Sequence, residues 1–312
     1  MLQAIRLFFE FISFFVKLLF LTFVFSPLKW LLPKSKKDVA GEVVLITGGG
    51  MGMGRLMAIQ FAKLNASIVI WDVNKNAMDS VVAEIKSSGK NTQIFSYVVD
   101  VSKRQEVFDA AEKVRQEVGD VTILINNAGL VNGTNLLNTP DERIQLLMDV
   151  NTTSHLWTLK AFLPFMLTNN HGHIVTVASS AGFFGVNGLI DYCSSKFAAV
   201  GLNESLTMEL HSKNKTGVKT TVVCPYLVKT GMFEGAASRF DWLIPPLTPE
   251  YASRRIVDSV LTDAQLLLMP RILFAFVVLK AIMPTSAYFL IADFFGVTHF
   301  MDKFVGRTGK TA

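Results

Sequence analysis

The chain has 312 residues, half of them hydrophobic, and carries a formal net charge of +5. This length suits one large α/β domain with appendages, and the modest charge, with no long basic run, argues against nucleic acid as a partner. Two cysteines, Cys193 and Cys224, make no disulfide framework, and the spacing of the five histidines predicts no metal site.

Residues 1–37 are predicted to form a hydrophobic membrane anchor with a basic flank. A spanning helix needs roughly 20 mainly apolar residues, and the best candidate runs from Leu7 to Leu28. Glu10 and Lys17 interrupt it, and a charge at the bilayer centre is costly. Both a spanning helix and an in-plane or hairpin anchor therefore remain open.

The lysines that follow this segment predict its orientation. They lie in the stretch Pro33–Lys37 and outnumber Arg6 on the other side. Since positive flanks favour the cytosolic side of a membrane, we expect the main domain to face the cytosol. No small-x-small cleavage site follows the apolar stretch, which argues against a cleaved signal peptide.

Residues 38–270 alternate between apolar runs and amphipathic stretches. Seven runs read as strands: 42–48, 67–72, 92–100, 121–127, 173–179, 219–225 and 265–270. Their nearly continuous apolar character suits parallel strands covered on both faces. The sequence therefore predicts an α/β fold, a Rossmann-type doubly wound parallel sheet of seven strands.

The hydrophobic C-terminal extension, residues 271–312, follows this domain. Its two apolar runs begin after Pro270 and are too short or too charged to predict membrane-spanning helices. They are expected to cap a substrate cleft, to pack between subunits or to rest on a membrane.

A glycine-rich loop follows the first predicted strand. Thr47–Gly54 reads TGGGMGMG and precedes a helix, and such a loop lets backbone N–H groups approach a pyrophosphate. Asp72 ends the second strand, where its carboxylate would bind an adenosine ribose and repel a 2′-phosphate. This favours NAD over NADP, although Arg55 and Lys75 are nearby cations that could weaken the preference.

Tyr192 and Lys196 stand four positions apart in DYCSSKFAAVG. On a helix this spacing puts both side chains on one face, one turn from each other. A free phenol, with a pKa near 10, is a poor base at pH 7, and a neighbouring ammonium group would lower that pKa. The pair is therefore a candidate proton acceptor with its supporting cation.

Together these motifs resemble those of the short-chain dehydrogenase/reductases, over about residues 38–270. The glycine loop is similar to the family's T-G-x-x-x-G-x-G, and Tyr192–Lys196 is similar to its Y-x-x-x-K. Further matches are N-N-A-G at 126–129, Asp-Val at 100–101, a serine 13 residues before the tyrosine, and P-x-x-x-x-T at 225–230. In the last motif, Tyr226 replaces the family's glycine.

The resemblance implies a catalytic tetrad and a nucleotide site. The implied catalytic residues are Tyr192, Lys196, Ser179 and Asn151, with Asn151 binding a water that connects Lys196 to solvent. The implied cofactor-binding residues are Thr47, Gly48, Gly50, Met51, Gly52, Met53, Gly54, Asp72, Asp100, Val101, Asn127, Ala128, Gly129, Tyr192, Lys196, Pro225, Val228 and Thr230. A homodimer is also expected by resemblance.

Within the family, the chain is most similar to the membrane-anchored branch with the epidermal retinol dehydrogenases and 17β-hydroxysteroid dehydrogenases 11 and 13. This implies an NAD-dependent oxidoreductase for a lipophilic alcohol, at the endoplasmic reticulum membrane or lipid droplets. Retinol oxidation is favoured, with a 17β-hydroxysteroid dehydrogenase and a non-catalytic scaffold as alternatives. An apolar substrate entrance is expected from Met232, Phe233, Phe240, Trp242, Leu243 and Ile244.

Overall fold

The computed structural model describes residues 2–25, 35–88 and 92–306 of the chain. Contacts divide the chain into two compact units, Met1–Lys37 and Asp38–Ala312. The second unit includes the hydrophobic C-terminal extension along with the alternating α/β region. Each unit is considered by itself.

The first unit is helical. Helix α1 spans Leu2–Phe20 and continues into a π-helical turn, Leu21–Phe25. Arg6 and Glu10 form an exposed ion pair one turn apart, with 3.0 Å between Nε and Oε1. Among the described residues, no helix is both long enough and apolar enough to cross a membrane. Leu28, the end of the predicted candidate, lies outside the described residues, as does Lys34.

In the described part of the second unit, seven strands form a parallel sheet flanked by helices. The strands are β1 Val43–Thr47, β2 Ser67–Asp72, β3 Ile94–Val98, β4 Ile123–Asn126, β5 Gly172–Val177, β6 Val218–Pro225 and β7 Leu266–Met269. Their order across the sheet is β3-β2-β1-β4-β5-β6-β7, and every neighbouring pair is parallel. The predicted Rossmann-type sheet is confirmed, with strand limits within a few residues of those expected.

The helices follow the strands in the predicted alternation. They are α2 Gly52–Lys63, α3 Lys75–Ser87, α4 Arg104–Glu117, α5 Asp141–Met148, α6 Ser154–Asn169, α7 Ile190–Ser212, α8 Pro249–Leu261, α9 Leu273–Ile282 and α10 Thr285–Phe295. A π-helical turn, Asp149–Thr153, joins α5 to α6. The last two helices, α9 and α10, come from the two greasy runs of the C-terminal extension.

Both faces of the sheet are buried, which explains the apolar strands. In β1, Val44 and Ile46 pack on one side of the sheet, whereas Leu45 packs on the other. Helices α2, α3 and α8 cover the first side, and α4, α6 and α7 cover the second. Burying one such side chain contributes about 1.5–3 kcal/mol, so a polar residue at these positions would destabilise the unit.

The direction in which the chain adds strands to the sheet reverses between the neighbouring strands β1 and β4. In an open α/β sheet, the connections leave the carboxyl ends of such strands in opposite directions and open a crevice there. Thr47 ends β1 and Asn126 ends β4, so the glycine-rich loop and the N-N-A-G segment meet at this crevice. The fold therefore places the two sequence motifs side by side.

Candidate active site

One large cavity, of about 1380 Å³, begins at this crevice and extends to the C-terminal helices. It is lined at one end by the glycine-rich loop and Asp72, and at the other by apolar residues of the C-terminal extension. Ser179, Tyr192 and Lys196 lie on its wall. The cavity wall therefore includes the predicted nucleotide site, the predicted catalytic residues and an apolar region of the C-terminal extension.

The glycine-rich loop is packed too closely for side chains at two of its positions. A Cβ on Gly54 would lie 2.1 Å from the backbone oxygen of Gly48, and one on Gly48 would lie 2.9 Å from Ala128 Cα. Gly48 also has a φ of +64°, a conformation that favours glycine. The loop therefore curls against the start of α2 and leaves its outer backbone free to hold a pyrophosphate.

We expect Gly54→Ala to disrupt this loop. The added methyl group would meet the Gly48 carbonyl in the backbone, which cannot move aside as a flexible side chain can. Overpacking of this kind costs about 1–3 kcal/mol, so both the Tm and NAD affinity should fall. Gly201→Ala in α7 is the matched control, because nothing lies within 4 Å of its added Cβ. Equal Tm and equal NAD affinity for the two variants would contradict this prediction.

Hydrogen bonds of the Thr47 and Asn127 side chains hold the glycine-rich loop and the N-N-A-G segment together. Thr47 Oγ1 accepts hydrogen bonds from the backbone N–H groups of Asn127 and Ala128, at 2.9 and 3.0 Å. The Asn127 side chain donates to the carbonyl oxygens of Thr47 and Gly48, at 2.9 and 3.2 Å. Thr47 itself is buried and does not line the cavity, so its part in the site is to shape the loop.

Asp72 lies where a ribose-binding carboxylate is expected. Its Oδ2 accepts from the N–H of Gly50 at 2.9 Å, and its Oδ1 accepts from the N–H of Asn74 at 3.0 Å. These bonds fix the carboxylate against the glycine-rich loop while it lines the cavity. Gly50 does not line the cavity, so this residue contributes through its bond to Asp72.

The two cations near Asp72 are each paired with a carboxylate. Arg55 makes a bidentate ion pair with Glu84, with nitrogen–oxygen distances of 2.8 and 2.7 Å, and it does not line the cavity. Lys75 lines the cavity and pairs with Asp79 at 2.6 Å. Their charges are therefore partly balanced before any nucleotide phosphate arrives.

The candidate catalytic side chains converge from β5 and α7. Ser179 follows β5, and its Oγ accepts from the N–H of Ala181 at 3.1 Å. Lys196 Nζ lies 5.6 Å from the centroid of the Tyr192 ring and donates to the carbonyl oxygen of Val177 at 3.1 Å. The Tyr192 ring also packs edge-on against Phe233, with centroids 5.3 Å apart. The structure thus brings the predicted tyrosine, lysine and serine together.

Burial dominates the proton affinities in this group. It raises the pKa of Tyr192 well above its usual 10, and the Ser179 hydroxyl acts against this by hydrogen bonding. Burial also lowers the pKa of Lys196 to about 8. At pH 7, therefore, Lys196 is mainly an ammonium ion, and the phenol of Tyr192 keeps its proton. The sequence predicted that Lys196 lowers the pKa of the Tyr192 phenol. In the protein without a cofactor, burial dominates and the pKa of the phenol is raised.

Asn151 is the candidate catalytic residue that lies away from the cavity wall. It lies in the π-helical turn between α5 and α6, is fully buried and does not line the cavity. Its Oδ1 accepts from Leu130 N at 2.7 Å, while its Nδ2 donates to Leu130 O at 2.9 Å and to Ser195 Oγ at 3.0 Å. Because both amide hydrogens are used, the side chain braces the loop after β4 against α7.

His155 is a buried histidine that the sequence analysis gave no role. It is 1% exposed on α6, and its Nδ1 has no partner within the part of the chain that the structure describes. Burial, reinforced by the positive charge of Lys196, lowers the pKa of His155 to about 3. The imidazole is therefore neutral at pH 7.

We expect His155 to make the fold sensitive to acid. Below the ordinary histidine pKa of about 6.5 the unfolded chain binds a proton that the folded chain refuses, so stability falls as pH falls. Between pH 7 and pH 5 this amounts to roughly 2 kcal/mol. Urea unfolding of wild type and His155→Gln at both pH values measures the effect, with His211→Gln, an exposed position, as the control. An equal acid loss in all three proteins would contradict the prediction.

The greasy end of the cavity is formed by two separate parts of the chain. Met232, Phe233, Phe240 and Ile244 line it as expected, but Trp242 and Leu243 do not and are 79% and 52% exposed. The C-terminal extension supplies the facing wall, through Leu273, Phe276, Lys280, Met283, Tyr288, Ile291, Ala292, Phe295, Val297, Phe300, Phe304, Val305 and Gly306. Of the three expected roles for the extension, the structure therefore supports capping of the cleft.

Most of the predicted cofactor residues lie on the cavity wall. These are Gly48, Met51, Gly52, Met53, Gly54, Asp72, Asp100, Val101, Asn127, Ala128, Gly129, Tyr192, Lys196, Pro225, Val228 and Thr230. Tyr226, which replaces the family's glycine, also lines the cavity, and Thr230 keeps its place within 3.5 Å of a Cβ on Gly52. The sequence did not identify the individual residues of the C-terminal wall, because apolar helices carry no motif.

Comparison with known proteins decides the family. The family model described as "short chain dehydrogenase" matches residues 42–239. The chain belongs to the short-chain dehydrogenase family. It is therefore an oxidoreductase, a short-chain alcohol dehydrogenase that uses a nicotinamide cofactor.

Two curated proteins are similar to it over most of its length. It is 51% identical to "Epidermal retinol dehydrogenase 2" of Mus musculus over 280 residues, which cover 90% of each chain. It is 43% identical to "Retinol dehydrogenase 10" of Homo sapiens over 310 residues, which cover 91% of each chain.

Solved short-chain dehydrogenase structures have the same fold. One from Burkholderia phymatum in complex with NAD is 25% identical, with a TM-score of 0.71, and the match covers 78% of this chain and 94% of that one. A metagenomic short-chain oxidoreductase in complex with NADP is 24% identical, with a TM-score of 0.61 over 74% and 96% of the two chains.

Proposed function

We propose that this short-chain dehydrogenase oxidises a lipophilic alcohol, all-trans-retinol, to its aldehyde with NAD as the hydride acceptor. The observation that carries the proposal is the continuous cavity of about 1380 Å³, polar at the glycine-rich loop and apolar under the C-terminal extension. The predicted catalytic residues lie between these two ends. Similarity to proteins named as retinol dehydrogenases supports the choice of retinol.

We assign the side chains roles that their positions on the cavity wall support. Tyr192 accepts the hydroxyl proton of the alcohol, and Ser179 holds the alcohol oxygen against the phenol. When bound, an oxidised nicotinamide would supply the hydride acceptor and a positive charge. That charge, together with Lys196, would offset the burial that raises the pKa of Tyr192. In the reverse direction, the protonated phenol is already suited to donate to an aldehyde oxygen.

Three features support NAD over NADP. The carboxylate of Asp72 faces the cavity and is fixed by two backbone N–H groups, so a 2′-phosphate would meet a negative charge. Arg55 is engaged by Glu84, and Lys75 by Asp79, so neither cation is free of a competing carboxylate. Each carboxylate therefore competes with the extra phosphate for its cation.

We further propose that the protein is located at the endoplasmic reticulum membrane or on lipid droplets, with the catalytic unit in the cytosol. The apolar face of α1 supports this, since side chains such as Phe8, Phe11 and Phe15 are exposed within its unit.

A homodimer is proposed as well, supported by exposed apolar residues on α6 and α7, among them Leu156 and Met208. Sedimentation of the detergent-solubilised protein measures its oligomeric state and so tests the proposed dimer.

The test of the function is turnover by membrane-bound or detergent-solubilised protein with NAD or NADP and a panel of alcohols. We expect oxidation of retinol with NAD. Oxidation of estradiol but not retinol would replace the proposal by a 17β-hydroxysteroid dehydrogenase. NAD binding without turnover of any alcohol would replace it by a non-catalytic scaffold.

A further inference from the structure

Lys280 is the one charged residue that helices α9 and α10 contribute to the cavity wall. The wall that these helices present is otherwise apolar or aromatic, and their other charged residue, Asp293, does not line the cavity. A lysine in a greasy wall loses hydration, so its ammonium group must find partners within the protein. Those partners determine what the residue does.

The ammonium group of Lys280 connects α9 to a loop on the other side of the cleft. Its Nζ donates to the carbonyl oxygen of Phe183 at 2.6 Å. It also lies over the rings of Phe184, Phe197 and Tyr288, at 5.7, 5.3 and 5.6 Å from their centroids. A charge-assisted hydrogen bond and several cation–π contacts therefore converge on one side chain.

A second hydrogen bond joins the C-terminal helices to the same loop. The Tyr288 hydroxyl, on α10, donates to the carbonyl oxygen of Gly185 at 3.3 Å. Both helices of the C-terminal pair are thus bonded to the same short loop, 183–185. We call Lys280, Tyr288 and the loop 183–185 the lid contact.

The loop of the lid contact belongs to the segment that joins two candidate catalytic residues. Ser179 precedes it and Tyr192 follows it. Its neighbour Gly182 packs on α7 so closely that a Cβ there would lie 2.7 Å from the carbonyl oxygen of Lys196. The position of the C-terminal helices is therefore linked to the segment between the serine and the tyrosine.

We propose that Lys280 is a positioning residue that fastens the C-terminal helical pair over the substrate end of the cavity and thereby sets the KM for the lipophilic alcohol. The proposal rests on the proposed function, because KM is measured on that reaction. Lys280 acts through the lid contact and is given no part in proton or hydride transfer. Its charge makes the contact selective: an apolar side chain of equal length would fill the space without bonding Phe183.

The test compares Lys280→Met, which keeps the length of the side chain, with Lys280→Arg, which keeps the charge and the donors. For Lys280→Met we expect the KM for the alcohol to rise about tenfold with a much smaller change in kcat, since ground-state positioning is lost. NAD affinity without alcohol should stay near that of wild type. Lys280→Arg should restore the KM, and Lys113→Met, at an exposed position on α4, should leave it unchanged.

Hydrogen exchange provides a second readout that needs no turnover. Amides of α9 and α10 should exchange faster in Lys280→Met than in wild type or Lys280→Arg, whereas those of β1 and β4 should not change. An unchanged KM and unchanged exchange in Lys280→Met would overturn the proposal. If wild type turns over no alcohol, the proposed function fails, and the exchange comparison alone then decides on the lid contact.

Discussion

Tyr192→Phe is expected to abolish alcohol oxidation while leaving NAD affinity nearly intact. The phenylalanine keeps the ring that packs on Phe233 at 5.3 Å and removes only the hydroxyl that we propose as the proton acceptor. Loss of a general base costs typically about 10²–10⁴-fold in rate. We therefore expect kcat/KM to fall by at least about 10²-fold, measured as NADH formation with the best alcohol of the panel.

The matched control is Tyr97→Phe. Tyr97 is another tyrosine with a hydrogen-bonded hydroxyl, which donates to Glu117 at 2.7 Å, but it does not line the cavity. Its loss should leave turnover and NAD affinity unchanged. Retained turnover in Tyr192→Phe would refute the assigned base, and a parallel loss of NAD affinity would mean that the hydroxyl acts in cofactor binding instead.

The fold was predictable because its signals are local and repeated. Each strand is a short apolar run, since the sheet is buried on both faces, and each helix between them is amphipathic. Val44, Leu45 and Ile46 show why the β1 run is continuous: successive side chains enter opposite hydrophobic layers. Such a pattern fixes the number and type of elements, and ends of strands within a few residues.

The site was predictable where chemistry demands a residue type at a fixed place in the chain. Asp72 ends the second strand, the place from which a carboxylate would reach a ribose, and Gly54 must lack a side chain because the Gly48 carbonyl occupies that space. The position of Asn151 was less predictable. The resemblance implied a water-binding role beside Lys196, and only the structure shows its side-chain amide bound to the backbone of Leu130.

The C-terminal wall could not be predicted from the sequence. Greasy helices pack in the same way against a cleft, a second subunit or a bilayer, so composition does not choose among them. Lys280 illustrates the difficulty, since in sequence it only interrupts an apolar run. Its meaning depends on Phe183, nearly a hundred residues earlier, and contacts of that separation leave no local pattern.

The pKa values of the active-site residues needed the structure for a different reason. The one-turn spacing of Tyr192 and Lys196 predicts attraction between a phenolate and an ammonium ion, which lowers the phenol pKa. Both groups are nearly fully buried, however, and desolvation disfavours both charged forms. Burial depends on how distant parts of the chain close over the pair, so spacing alone gave only one of the two opposing effects.

Asp72→Ala is expected to reduce the preference for NAD over NADP. Removing the carboxylate would end the proposed repulsion of a 2′-phosphate and the proposed hydrogen bonds to the adenosine ribose. The ratio of kcat/KM with NAD to kcat/KM with NADP should therefore fall by about 10–100-fold, mostly through weaker use of NAD.

The size of this change depends on the two neighbouring ion pairs. Arg55 stays bound to Glu84 and Lys75 to Asp79 after the substitution, so NADP gains relief from repulsion without gaining a new cation. We therefore expect loss of NAD preference and not a full reversal to NADP. Asp109→Ala, which removes an exposed carboxylate from α4, is the control and should leave the ratio unchanged. An unchanged ratio in Asp72→Ala would mean that another group sets the preference, because the carboxylate nearest the glycine-rich loop would then have no influence on the cofactor.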